Sequence, residues 1–118
     1  MIIYENTVKS KGSLVGEFGD GMFILFGDNA PGMLKDYCYG IDVVPTNATI
    51  EVGQTLKVDG EEFKILGVGD VAEKNLVDLG HLTVHFSGDL DNLLPGAIVV
   101  EEKSCPAIDI NTKITIEK

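Results

Sequence analysis

From Ile65 to Phe86 the chain reads ILGVGDVAEKNLVDLGHLTVHF, and its hydrophobic period switches to the helical value and back to two. Asp70 with Glu73 three residues on predicts a capping box, with each carboxylate accepting from a backbone N–H that the first helical turn leaves unpaired. The helix then begins at Val71. Ala72, Leu76 and Leu79 fall on one apolar face, whereas Glu73, Lys74 and Asp78 point outward. Gly80 stops the helix, because glycine adopts the left-handed conformation that closes a last turn. Beyond it Leu82, Val84 and Phe86 alternate with His81, Thr83 and His85, which predicts a half-buried strand with one polar face.

Most other segments carry the two-residue period or a short apolar run. Strands are expected over 2–8, 22–26, 55–58, 62–68, 97–101 and 113–117. The middle pair flanks Asp59-Gly60, two residues that tolerate positive φ and so suit a tight hairpin turn. A helical turn over 31–39 can follow Pro31, since proline's missing N–H would be unpaired there in any case. Gly67-Val68-Gly69 permits a bulge; it lacks the lysine-serine and the glycine spacing of a phosphate-cradling loop. Six or seven short strands and one short helix must bury one face of each strand, and a small closed barrel does this without exposed edges.

Composition narrows the class. The 118 residues form one domain, able to hide roughly two thirds of its unfolded surface without staples. A hydrophobic share of 44% with 24% charged residues is globular rather than disordered. The formal charge of −10 repels nucleic acid and anionic lipid, and favours a basic or neutral protein partner or a small neutral ligand. Cys38 and Cys105 are too few for a disulfide framework, lack zinc spacing, and read as buried thiols. No secretory stretch opens the chain, and the longest apolar run, residues 22–26, is far too short to span a bilayer. A soluble, cytoplasmic protein without cofactor or metal is expected.

Two blocks carry a family resemblance. Gly67 to Gly88, GVGDVAEKNLVDLGHLTVHFSG, with Leu94-Pro95-Gly96 after it, resembles the glucitol/sorbitol-specific IIA components of the bacterial sugar phosphotransferase system. Ala30-Pro31-Gly32-Met33-Leu34-Lys35-Asp36-Tyr37-Cys38 resembles the same family's alanine-proline, leucine, tyrosine-cysteine pattern, so the likeness covers nearly the whole chain. It implies a six-stranded Greek-key barrel. It also implies a phosphocarrier that takes a phosphoryl group from HPr and passes it to the IIB and IIC components of a polyol permease. One departure stands out. A histidine a few residues after the tyrosine-cysteine pair carries the phosphoryl group in that family, yet Tyr39, Gly40, Ile41, Asp42 and Val43 follow here, and residues 1–80 hold no histidine.

The chemistry then falls to two histidines. A phosphoacceptor needs a neutral, accessible ring nitrogen, with the other nitrogen held by a hydrogen bond and the incoming dianion balanced by donors. His81 is the candidate, with Asp78 and Thr83 as orienting groups; its alternative reading is a helix-stop histidine that bonds a free carbonyl. His85 lies four residues on, about 13 Å away along a strand, too far to share a metal ion or one phosphorus atom. It reads as a solvent-facing side chain on the surface or as an outlying part of the site. Asp42 could form an acyl phosphate only with a divalent cation and an acidic cluster, and reads better as a loop aspartate that bonds its own backbone. A chain that keeps the barrel without the family histidine could instead be a non-catalytic regulatory or binding module, and Ile41 favours that alternative.

Overall fold

In a computed structural model, the structure describes residues 1–27, 32–91 and 93–118, with only the backbone of Met33. The period-two runs become strands. Among the described residues these are β1 (Ile2–Thr7), β2 (Ser10–Lys11), β3 (Met22–Phe26), β4 (Tyr39–Gly40), β5 (Thr55–Val58), β6 (Glu61–Val68), β7 (Leu82–His85), β8 (Ala97–Val100) and β9 (Lys113–Glu117). Two helices, α1 (Gly32–Lys35) and α2 (Ala72–Leu79), and a short 3-10 turn at Val15–Phe18 accompany them. The helical turn expected over 31–39 is the four-residue α1; Pro31 lies outside the described residues.

Mainly-β architecture stands, but the closed six-stranded Greek-key barrel does not. The strands form one nine-stranded sheet in the order β1-β9-β5-β6-β8-β7-β3-β4-β2, and no ladder joins its two end strands. Between β1 and β2 the Val8 N–H donates to Thr112 O while the Lys9 N–H donates to Gly40 O, so the two end strands are joined by a two-residue step of the chain rather than by a ladder. The additional strands β2 and β4 are two residues long, too short to show a hydrophobic period. Pairs β3–β4 and β7–β8 are parallel and the remainder antiparallel.

Inside the sheet Phe63 meets Phe86 edge-on at 4.9 Å and Phe23 approaches Phe86 at 5.8 Å, a ring cluster joined by Ile65, Leu82, Val84, Ile98 and Val100. The β5–β6 hairpin turns on Asp59 and Gly60, both at positive φ, as their residue types require. A register shift between Ile65 and Gly67 marks the bulge that the glycine run permits.

Helix α2 departs from its expected cap. Val71, not Asp70, is the N-cap residue, and no side chain caps it. The Val71 and Ala72 N–H groups donate to Pro95 O and Gly69 O, so the first turn is satisfied by backbone. Glu73 is thereby released for a tertiary contact, in which its Oε1 accepts the Ile50 N–H at 2.6 Å and ties the 41–54 coil to the helix. Ala72 and Leu76 are buried as their spacing demands, but Leu79 is 44% exposed because the helix ends there and the chain turns away. No described helix is long and apolar enough to cross a membrane.

Candidate functional site

Gly80 ends α2 in the left-handed region at φ 70°, and its N–H donates to Leu76 O. The next N–H, that of His81, donates to Asn75 O at 3.2 Å. Helix closure therefore uses the His81 backbone and leaves the ring out, unlike the helix-stop reading of its side chain. The ring packs on Phe26 with centroids 4.5 Å apart and planes at 53°. Its Nδ1 is enclosed without a hydrogen-bond partner, and the side chain as a whole is half-buried, which leaves Nε2 as the less enclosed ring nitrogen.

β7 alternates as its period predicts: Leu82 and Val84 are buried, Thr83 and His85 half-buried. Thr83 sits between Ile24 of β3 and Ala97 of β8 in the ladders, and His85 between Met22 and Val99. His85 encloses its Nε2, again without a partner. Asp78 turns its carboxylate to Lys74 at 2.6 Å, one helical turn back, so neither described ring nitrogen is its partner. Among the described residues no group of three or more His, Cys, Asp or Glu side chains could hold a metal ion.

Burial holds both imidazoles below the usual 6.5. The folded chain then binds fewer protons than the unfolded chain below that pH, so stability is complete above about 6.5 and declines as pH falls toward the folded values. Urea midpoints should drop between about pH 7.5 and 5.5, and His81→Gln should flatten part of that slope. Cys105 is inert by the same cause, its thiol pushed up to about 11 by burial first and by Asp20 and Glu61 after it.

The segment that replaces the expected histidine passes beside Phe26, Gly27 and Gly80, the residues next to this ring in space or sequence. Ile41 donates its N–H to Phe26 O at 3.0 Å and sends its own side chain into the core, 1% exposed. The Val43 Cγ2 lies 2.6 Å from where a Cβ on Gly27 would stand and 3.5 Å from the equivalent point on Gly80. Gly27 in turn donates its N–H to Leu79 O at 3.0 Å. The end of β3, the end of α2 and the 41–43 segment thus cross at one point, with His81 against it. Asp42 is exposed, with Lys9 Nζ 3.8 Å from its carboxylate, and its backbone is held by Asn6 rather than by its own side chain.

Sequence reading missed Phe26, Gly27, Val43 and Asn6. Only Asn6 left a signal, as a polar residue on the period-two face of Tyr4 and Val8, both buried. A separate groove of about 380 Å³ runs over β1, β9 and β5, but its lysines, Lys57 and Lys113, are already paired with Glu117 and Glu5, and neither histidine lines it.

Residues 3–115 match the family model described as the PTS system glucitol/sorbitol-specific IIA component. The glucitol/sorbitol-specific EIIA components of Escherichia coli K12 and Shigella flexneri are each 31% identical over 100 residues, covering 84% of this chain and 81% of theirs. The crystal structure of a PTS IIA component from Enterococcus faecalis V583 superposes with a TM-score of 0.83 at 25% identity, over 98% of this chain and 100% of that one. With matched sequence and matched fold running through both helices and all but the last residues, the chain belongs to the glucitol/sorbitol-specific IIA components of the sugar phosphotransferase system.

Proposed function

We propose that this IIA component works as a phosphocarrier through His81, taking a phosphoryl group from HPr and handing it to the IIB component of a glucitol- or sorbitol-like permease. The observation that carries the reading is the crossing point, where the segment after Tyr37-Cys38, the family's place for its histidine, lies against the Gly27–Gly80 contact beside the His81 ring. The Nε2 lone pair forms the new N–P bond while the donor's N–P bond breaks and its electron pair returns to the donor imidazole. Burial favours the neutral, nucleophilic ring. Thr83 and Asp78 are the orienting groups; Asp78 must first leave Lys74, an exchange that costs little in a half-exposed ion pair. Incubation with phosphorylated HPr should give an acid-labile adduct on the parent chain and none on His81→Ala. An unlabelled parent, or an equally labelled variant, refutes the assignment.

A second reading has its own observation. With attack through Nε2 the proton resides on Nδ1, where it is enclosed without an acceptor, and an unpaired buried donor costs about 1–3 kcal/mol. Together with Ile41 in the core, that cost favours a binding or regulatory module that keeps the fold and has lost the relay. A stable complex with a permease or transcription regulator, formed by a chain that phosphorylated HPr leaves unlabelled, is its expected signature.

A further inference from the structure

Asn6 is buried at 6% exposure one residue from the end of β1, where an apolar side chain would be the ordinary choice. Both amide atoms make two hydrogen bonds each. Nδ2 donates to Asp42 O at 2.7 Å and to Tyr4 Oη at 2.8 Å, while Oδ1 accepts from the Thr7 N–H at 2.9 Å and from the Asp42 N–H at 3.4 Å. Both peptide groups of Asp42 are therefore clamped from a strand 36 residues away in sequence. On one side of Asp42, Ile41 bonds Phe26, whose ring carries His81; on the other, Val43 fills the space against Gly27 and Gly80.

We propose that Asn6 is a positioning residue for His81, acting through the Asp42 backbone to hold the 41–43 segment and, through the Ile41–Phe26 hydrogen bond, the Phe26 ring that packs on the imidazole. A merely structural amide would stabilise the whole sheet. A positioning amide affects one ring. The role adds to the phosphocarrier reading, but it concerns the placement of the ring and can be measured whether or not phosphate is ever transferred.

Two histidines in the whole chain make the test direct. Asn6→Leu removes all four hydrogen bonds at nearly constant shape, and Asn6→Thr supplies one hydroxyl in place of the amide; both are neutral, so neither alters the ring by charge. In NMR titrations His81 should move up by about half a unit toward 6.5 in Asn6→Leu and by less in Asn6→Thr, as its packing on Phe26 loosens and water enters. His85, about 13 Å along the same strand, should titrate as in the parent. If the parent accepts phosphate from phosphorylated HPr, the rate should fall about tenfold in Asn6→Leu, with partial rescue in Asn6→Thr. Unchanged His81 titration in a folded variant overturns the proposal, as do equal shifts at both histidines. Failure of both variants to fold also overturns it, by showing that the amide holds the sheet and not the site. An unlabelled parent whose His81 still shifts alone rejects the phosphocarrier reading and supports the positioning role.

Discussion

Gly27→Ala and Gly80→Ala should each lower the unfolding free energy by about 3 kcal/mol or more in urea titrations, among the largest single losses available to this chain. The two glycines meet where β3 ends and α2 stops. A Cβ on Gly27 would stand 2.6 Å from Leu79 O and from the Val43 Cγ2, and the oxygen belongs to backbone that already accepts the Gly27 N–H. A Cβ on Gly80 would stand 2.8 Å from Gly27 N, with the further strain of a left-handed residue at φ 70°. Relief requires the strand end and the helix end to part, which breaks the Gly27–Leu79 hydrogen bond and opens the contact that seats His81. Two other glycines calibrate the effect. Gly53 has positive φ and open space, so Gly53→Ala should cost only the conformational term, about 1 kcal/mol. Gly16 has open space and no such φ, so Gly16→Ala should be nearly neutral. If Gly27→Ala matched Gly16→Ala, the close crossing would be wrong, and with it the placement of residue 43 beside the ring.

What the sequence discloses here depends on how local the cause is. The β5–β6 hairpin was legible because alternation and Asp59-Gly60 act within ten residues, and β7 because Leu82, Val84 and Phe86 must turn inward together. Strands β2 and β4 were not legible, since two residues have no period and their pairing is decided by distant partners. The capping box failed for a related reason. Its residue types were present, but a backbone carbonyl from Gly69 and another from Pro95 served the first turn, and Glu73 found the Ile50 N–H 23 residues away. The step at Val8-Lys9, which hands the chain from the β9 edge to the β4 edge, was likewise out of reach, since no propensity describes it.

The site divides along the same line. His81 could be singled out because the chain offers so few nucleophilic rings, and its strand face followed from alternation. The wall behind it could not, because Phe26, Val43 and Asn6 come from three separate segments joined only by the fold. Nor could periodicity show that Ile41 and Asp42 face opposite ways, one into the core and one to water. That difference decides which position in the altered segment is still fit for a reactive side chain.

Asp42→His in a His81→Ala background should restore labelling by phosphorylated HPr to a chain that lacks its proposed acceptor. The side chain at 42 is 59% exposed, so an imidazole there meets a donor protein without entering the core. Its backbone is held through both peptide groups by Asn6, which fixes where the ring emerges. Lys9, 3.8 Å from the present carboxylate, would lose its anionic partner and become free to balance a phosphoryl dianion. Removal of Asp42 also takes away a like charge that would repel that group. Ile41→His in the same background is the contrasting case. There the side chain is 1% exposed, so the ring enters the core unpaired, at a cost of about 1–3 kcal/mol and out of reach of any donor. Labelling at 42 and none at 41 would mean that this segment still offers the family's platform and lacks only a reactive side chain there. No labelling at either position, in variants that remain folded, would count against a relay through the 41–43 segment.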